Sequence, residues 1–310
     1  MKILVTGGLG HIGSYIIENI NKIKNIKELY VIDNLYSNKI NSLFNLRKKK
    51  TKLFFINKDL SKKDSLKNFK KVDIVINLAS ITDAEKSLEI KREIYKNNLG
   101  IFNNVVAYCR KKSSKLIHIS STSVYGKQSG IVDEKCKKLR PQTPYAKIKI
   151  LEENILIKNS TKIRYITFRF GTIAGISKGM RFHTAVSKFC LFAILNKPIP
   201  VWKDALYQFR PYLSLRDAFK IVKFTLEKKF FTNQIYNILS NNYKVNDILK
   251  MIKKYKKNIR VKFIKSKIIN QLSYKVKKEK ITSKGIFLNA NLDKDIKQTL
   301  NLFKNINNGM

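Results

Sequence analysis

Short apolar runs recur along the first part of the chain, and longer stretches between them place apolar residues three or four positions apart. The short runs predict buried β-strands, whereas the longer spacing predicts amphipathic helices. Strands that alternate with helices pair in parallel through right-handed crossovers, so the pattern predicts an α/β fold with a doubly wound parallel sheet. The predicted strands are 3–5, 28–32, 53–57, 72–79 and 116–121, and the helical stretches are 12–20, 43–46, 97–110 and 144–156.

A glycine-rich turn follows the first strand and leads into the first helix. Gly7 permits a tight turn, Gly10 lets the backbone approach a pyrophosphate, and Gly13 lets the helix lie close to the strand. The second strand ends in Asp33, whose carboxylate can accept both ribose hydroxyls of an adenosine and would repel a 2′-phosphate. An ordinary glycine loop and a solvated Asp33 are the alternatives, but the combined spacing favours a dinucleotide site, with NAD preferred over NADP.

Hydroxyl side chains cluster where the fifth strand ends, from Ser120 to Tyr125. Ligands of open parallel sheets bind outside the carboxyl ends of the strands, so this cluster should face the same crevice as the glycine turn. A capping or turn cluster is the alternative interpretation. On the same argument Asp59 and Leu60 should reach the adenine edge, and the small residues after the fourth strand should let the cofactor pass.

Tyr145 and Lys149 lie four positions apart near the start of a predicted helix, and therefore on one face of it. A tyrosine has an ordinary pKa near 10, so a tyrosine that acts as a base at neutral pH needs a shift worth roughly 4 kcal/mol. One ammonium about 5 Å away supplies on the order of 3 kcal/mol at an effective dielectric constant near 20. The pair is commonplace alone, but behind a dinucleotide turn it indicates a catalytic site.

The composition is strongly basic, with 64 Lys and Arg against 21 Asp and Glu in 310 residues, a net charge of +43. Such a charge is typical of proteins that bind nucleic acid or membranes. The lysines are, however, spread along the whole chain among Ile and Asn, which favours compositional drift over a nucleic-acid surface. A basic protein also suits an anionic substrate.

Cysteine usage and the apolar stretches bear on location. Cys109, Cys136 and Cys190 share no metal-ligand spacing, so we expect reduced thiols, a cytoplasmic protein and no metal site. The longest apolar patch, 189–195, is too short to span a bilayer, so we expect no membrane association.

These motifs together resemble the NAD-dependent sugar-nucleotide epimerase/dehydratase group of the extended short-chain dehydrogenases/reductases. The resemblance implies a Rossmann domain at 1–169, with 209–240 returning to it, and a smaller C-terminal α/β substrate lobe at 170–310. It also implies a sixth strand at 166–171, a returning strand at 235–238 and a helix that opens at 180–183. The matching residues are Gly7, Gly10, Gly13, Asp33, Asp59, Leu60, Leu78, Ala79, Asn97, Ser121, Tyr145 and Lys149.

The resemblance assigns roles to particular residues. It implies Ser121, Tyr145 and Lys149 as catalytic residues, and Ser121, Thr122, Arg181 and Arg210 as substrate contacts. Bound NAD would contact Gly7, Gly10, His11, Ile12, Gly13, Asp33, Asn34, Asp59, Leu60, Leu78, Ala79, Asn97, Tyr145 and Lys149.

The implied activity is an NAD-dependent nucleotide-sugar epimerase, acting at carbon 4 through a keto-sugar and serving polysaccharide biosynthesis. Dehydratases of the group carry an acidic pair after the catalytic hydroxyl, where this chain has Thr122 and Ser123. One alternative is an NAD(P)-dependent keto-sugar reductase of deoxysugar biosynthesis. Another is a non-catalytic dinucleotide- or nucleic-acid-binding protein. The resemblance further implies a homodimer that pairs the helices near 97–110 and 145–158.

Overall fold

Seven parallel strands form the central sheet of the computed structural model, which describes residues 1–46, 50–82, 88–265 and 273–302. The strands of the described residues are β1 (Lys2–Thr6), β2 (Glu28–Asp33), β3 (Lys52–Asn57), β4 (Ile74–Asn77), β5 (Lys115–Ser121), β6 (Ile131–Val132), β7 (Tyr165–Phe170), β8 (Thr172–Ala174), β9 (Ile199–Trp202), β10 (Phe209–Ser214), β11 (Ile235–Ile238), β12 (Asn241–Lys244), β13 (Val261–Ile264) and β14 (Lys275–Val276). The central sheet has the order β11-β7-β5-β4-β1-β2-β3. This order confirms the doubly wound prediction, and the winding direction reverses between β1 and β4.

Helices cover both faces of this sheet, which explains why its strands are almost continuously apolar. The α-helices are α1 (His11–Asn19), α2 (Lys91–Lys112), α3 (Pro144–Lys158), α4 (Ala185–Ile194), α5 (Leu215–Lys228), α6 (Val245–Tyr255), α7 (Glu279–Thr282) and α8 (Leu292–Asn301). On one face, α1 and α5 pack with Ile16 and Ile221 in the core, and on the other α2 and α3 pack with Phe102 and Leu156.

A second apolar core lies beyond β7. It joins α4, α6 and α8 to a three-stranded sheet of order β12-β10-β8 and to the parallel pair β9 and β13. Its centre contains Cys190, Ile199, Tyr212, Ile248 and Ile296, all fully or almost fully buried. This core has its own elements, as a substrate lobe would, but the division of the chain at residue 169 stays a prediction.

Two predicted helical stretches take another form. Residue 43 ends a short 3-10 helix, Ile40–Leu43, and a turn follows, in which Asn45 has a left-handed φ of 49°. The Ser42 hydroxyl donates to the Leu9 carbonyl and fixes this segment. The helix predicted to open at 180–183 begins instead at Ala185. The residues before it are held on the glycine turn, where the Gly179 N–H donates to the Ser14 hydroxyl at 2.9 Å.

Candidate active site

Two adjoining cavities open at the carboxyl ends of the central strands, with volumes of about 470 and 340 Å³. Ile12, Leu78, Ser80, Arg181 and His183 line both cavities, so the two form one continuous cleft. The cleft lies at the point where the strand order reverses. That is the position at which open α/β sheets bind their ligands.

The glycine turn forms one wall of the first cavity. Gly7 has a φ of +63°, and a Cβ there would lie 2.6 Å from the Cα of Ala79. A Cβ on Gly13 would lie 2.5 Å from the carbonyl oxygen of Gly8. Helix α1 then begins at His11 after Gly10, and no side chain caps its N-terminus. The turn is therefore a close-packed backbone cradle that leads to a positive helix end, which suits a diphosphate.

Asp33 supplies the carboxylate of the first cavity. Its Oδ2 accepts from the Leu9 N–H at 3.1 Å and its Oδ1 from the Leu35 N–H at 3.0 Å, so the backbone fixes its orientation. Each carboxylate oxygen has two lone pairs, and capacity remains for ribose hydroxyls. The glycine cradle, the uncapped helix and the fixed carboxylate together fit NAD.

The structure brings nearly all the other predicted cofactor residues to the same cavity. Tyr145 and Lys149 line the second cavity instead, and Asp59 lines neither: its Oδ1 accepts from the backbone N–H and the hydroxyl of Ser61, at 2.9 and 2.7 Å. An Asp side chain readily closes such a local turn, and contact of Asp59 with adenine stays a prediction. The residues that do line the cavity are Gly7, Gly10, His11, Ile12, Gly13, Asp33, Asn34, Leu60, Leu78, Ala79 and Asn97.

We expect Gly13→Ala to weaken NAD binding about 10- to 100-fold, because overpacking costs roughly 1–3 kcal/mol and each 1.4 kcal/mol is tenfold. The added methyl group must displace Gly8, and with it the turn. Isothermal titration with NAD measures the loss. Gly130→Ala is the matched control, since a Cβ at Gly130 meets nothing within 4 Å. Equal affinities for both variants would contradict the cradle.

Ser121 lines the second cavity at the carboxyl end of β5. Its Oγ accepts from the Ser123 N–H at 3.1 Å and from the Ser123 hydroxyl at 2.9 Å. A hydroxyl has two acceptor positions and one proton, so Ser121 has its proton left to donate into the cleft. Both interpretations of the serine cluster therefore hold, because Ser121 caps the 3-10 helix Thr122–Tyr125 and also faces the cleft.

Tyr145 and Lys149 enter the second cavity from the first turns of α3. The helix begins at Pro144, where a proline is tolerated, and the Thr143 hydroxyl caps it by accepting from the Ala146 N–H at 3.2 Å. Lys149 Nζ lies 5.6 Å from the centre of the Tyr145 ring. The four-residue spacing thus places an ammonium beside the phenol, as expected.

Lys149 has a partner that the motif does not reveal. Its Nζ donates to Glu152 Oε2 at 2.8 Å, and both side chains are buried. Burial alone would lower the pKa of Lys149, but Glu152, with smaller contributions from Tyr145 and Glu153, raises that pKa above its usual value. Lys149 is therefore protonated at physiological pH.

The second cavity is basic. None of its described lining residues is Asp or Glu, whereas Lys149, Arg181, His183, Lys188 and Arg210 all line it. The Nε and Nη2 atoms of Arg210 are buried without a hydrogen-bond partner among the described residues. One guanidinium group can bind two phosphate oxygens through two parallel hydrogen bonds, so this cavity suits a diphosphate group.

A segment of the C-terminal half lies directly on the glycine turn. The His11 Nε2 contacts the Gly175 carbonyl at 2.8 Å, and the Ser177 hydroxyl donates to the His11 carbonyl at 2.8 Å. Burial lowers the pKa of His11 to about 4, so its ring is neutral. His11 therefore joins the glycine turn to this segment, as expected for a packing residue beside the cofactor.

Sequence reasoning missed other residues that line the second cavity. Trp202, the only tryptophan of the chain, lies at the end of β9, and Lys188 lies on α4. Gln142 precedes α3. None of the three belongs to a spacing pattern, and the packing of the second core brings Trp202 and Lys188 to the cleft.

The part of the chain that the structure describes contains neither a membrane span nor a metal cluster. Across 1–46, 50–82, 88–265 and 273–302, no helix is both long and apolar enough to cross a bilayer. The same ranges contain no group of three or more His, Cys, Asp or Glu residues arranged to hold a metal ion.

Comparison with known proteins gives a family match and several relatives. The model of the NAD dependent epimerase/dehydratase family matches residues 3–238. An uncharacterised UDP-glucose epimerase of Bacillus subtilis is 29% identical over 248 residues, which are 77% of this chain and 76% of that protein.

Solved structures of similar shape cover nearly the whole chain. A UDP-glucuronic acid 4-epimerase of Bacillus cereus, solved with UDP-glucuronic acid and NAD, has a TM-score of 0.88 at 24% identity, covering 98% of this chain and 99% of that one. A UDP-glucose 4-epimerase of Thermus thermophilus in complex with NAD has a TM-score of 0.85 at 21% identity, with the same coverage. At these identities the likeness shows the fold.

Proposed function

The chain belongs to the NAD-dependent epimerase/dehydratase family, and from that premise we propose that it is an NAD-dependent nucleotide-sugar epimerase acting at carbon 4. One observation carries the proposal. Ser121, Tyr145 and Lys149 converge on a cavity that continues into the cradle of the glycine turn. A protein that only bound a dinucleotide would have no use for a phenol, an ammonium and a directed hydroxyl in that place.

Several residues would hold the cofactor. Gly10 and Gly13 would admit the diphosphate, Asp33 would bind the adenosine ribose, and Lys149 would bind the nicotinamide ribose. NAD bound in this way supplies a hydride acceptor, and return of the hydride to the other face of the sugar gives the epimer.

The chain's own groups manage the proton. Tyr145 takes the proton of the sugar hydroxyl at carbon 4, and the Lys149 ammonium beside the ring stabilises the phenolate that does so. The Ser121 hydroxyl donates a hydrogen bond to the same sugar oxygen. When the sugar is reduced again, Tyr145 returns the proton.

The second cavity supports an anionic substrate. Arg210, with Arg181 and Lys188 nearby, would bind the diphosphate of a nucleotide sugar, and the named relatives favour UDP as the nucleotide. Elimination of water, as in a dehydratase, needs an acid and a base near carbons 5 and 6. The described lining of this cavity contains no carboxylate, which favours epimerisation.

We expect the protein, supplied with NAD and a panel of nucleotide sugars, to interconvert one pair that differs at carbon 4. NMR of the products identifies the pair, and a parallel reaction with NADH and a nucleotide keto-sugar is followed by the absorbance of reduced cofactor. An epimerase produces only a trace of NADH, whereas a keto-sugar reductase consumes NADH stoichiometrically. Stoichiometric consumption would replace the proposal with the reductase, and no turnover of any sugar would refute it.

We further infer a homodimer. Helices α2 and α3 pack side by side, and α3 exposes Leu151 and Ile157, which are 41% and 52% accessible. A matching pair of helices from a second copy would bury these side chains. Cytoplasmic location and a role in polysaccharide biosynthesis are expectations that accompany this function.

A further inference from the structure

Behind the catalytic lysine lies a buried charged cluster that the reaction described above does not use. Glu152 Oε2 lies 2.8 Å from Lys149 Nζ and 3.4 Å from His118 Nε2. The side chains of Lys149, Glu152 and His118 are 4%, 2% and 0% exposed. Lys149 lines the cleft, whereas Glu152 and His118 do not. One carboxylate oxygen therefore faces both basic groups from behind the site.

The neighbouring carboxylate is already occupied. Glu153 binds the Arg169 guanidinium through both oxygens, at 2.9 and 2.6 Å, and accepts from the Ser120 hydroxyl at 2.6 Å. The charge of Glu153 is thus matched by Arg169. Glu152 is left as the carboxylate that matches the charge of Lys149.

A buried lysine has a physical difficulty in this role. Removal of an ammonium from water favours its neutral form, and full burial can lower a lysine pKa by roughly 3–5 units. A neutral Lys149 would neither stabilise a phenolate nor hold its position by charge. The site therefore requires a counter-ion that stays ionised within the protein.

Resting on the proposed function, we propose that Glu152, supported by His118, is a positioning residue that keeps the Lys149 ammonium charged and in place beside Tyr145. Burial alone would raise the pKa of Glu152, but Lys149 and His118 hold it below its usual range. Burial lowers the pKa of His118, so its ring is neutral and supports the carboxylate as a dipole.

The groups that face this pair come from four elements, α3, β5, β7 and α2. On α3 itself they are Tyr145, beside the ammonium, and Glu153. Strand β5 contributes His118, and β7 contributes Arg169, which is bound to Glu153. Helix α2 presents an uncharged ring, Phe102, whose centre lies 4.7 Å from that of His118. If the Glu152 carboxylate were removed, burial would dominate and would lower the pKa of Lys149.

The test replaces Glu152 with glutamine, which keeps the shape and an acceptor but removes the charge. The pKa of Lys149 should fall, so the ammonium is lost at lower pH. We expect the alkaline limb of kcat/KM against pH to move down by about 1–2 pH units. Glu152→Asp keeps the charge but places the carboxylate farther from Lys149, so it should move the alkaline limb in the same direction by a smaller amount.

A second measurement needs neither substrate nor cofactor. In Glu152→Gln the folded protein binds the Lys149 proton more weakly than the unfolded chain does, and the unfolded chain keeps that proton up to a pH of about 10. The loss of melting temperature relative to the unmodified protein should therefore be largest near neutral pH and shrink as the pH rises toward about 10. A merely structural role would give a loss that does not vary with pH.

Lys147→Gln is the control, because it removes an exposed charge from the same helix and should change neither readout. If Glu152→Gln does not fold, the Glu152→Asp variant still gives the sign of both shifts. A constant loss of melting temperature across this pH range, or an alkaline limb that stays in place or moves up, would overturn the proposal. Because the melting experiment is independent of turnover, it can fail or succeed separately from the epimerase assignment.

Discussion

Tyr145→Phe is expected to lower kcat by about 10²- to 10⁴-fold, the range that a positioned general acid–base group contributes. The ring stays beside Lys149 Nζ, and only the hydroxyl that exchanges a proton with the sugar is lost. NAD affinity and the melting temperature should change little, because the phenyl ring keeps its contacts. Product formation by NMR and titration with NAD measure the two quantities.

Tyr207→Phe provides the comparison for this variant. Tyr207 is 67% exposed and does not line the cleft, so the same chemical change there should leave kcat unaltered. If Tyr145→Phe turned over nucleotide sugars at the rate of the unmodified protein, the assigned base would be wrong. If it lost NAD binding as strongly as turnover, its role would be binding.

Glu153→Ala is expected to lower the free energy of unfolding by about 3–5 kcal/mol, the usual cost of removing one partner of a buried ion pair. Arg169 is almost fully buried and binds both oxygens of Glu153. Burial alone would lower the pKa of Arg169, but Glu153 raises it above its usual value, so the guanidinium stays charged. Without Glu153 that charge remains inside the protein, with Tyr125 as a neutral partner.

Urea denaturation measures this loss, with Glu18→Ala as the comparison. Glu18 is exposed on α1, and surface changes of this kind usually alter stability by less than about 0.5 kcal/mol. A loss in Glu153→Ala no larger than in Glu18→Ala would mean that Arg169 finds another partner or reaches water. The ion pair would then contribute little to the fold.

The central sheet and the cofactor turn were predictable because short-range physics decides them. A buried strand between helices must be apolar on both faces. Positions 7 and 13 must be glycine because a Cβ there would meet the backbone of Ala79 and Gly8. Tyr145 and Lys149 were predictable for a similar reason. A capped helix start and a four-residue spacing place both groups on one face, whatever the remaining packing is.

Other features depended on tertiary competition. Asp59 was expected near adenine, which stays a prediction, and its local turn with Ser61 is a contact that the spacing did not indicate. Residues 43–46 carry a helical spacing that the Ser42 contact to Leu9 interrupts. In the sequence Glu152 is one of several charged residues of a predicted helix, and only the position of α3 against β5 makes it buried.

The segment that covers the glycine turn also bears on biosynthesis. Its contacts join His11 and Ser14 to Gly175, Ser177 and Gly179, about 165 positions further along the chain. While only the first Rossmann strands and helices have been synthesised, the glycine turn therefore lacks the residues 175–179 that pack on it. Maturation of the cofactor cleft must therefore wait until translation has passed residue 179.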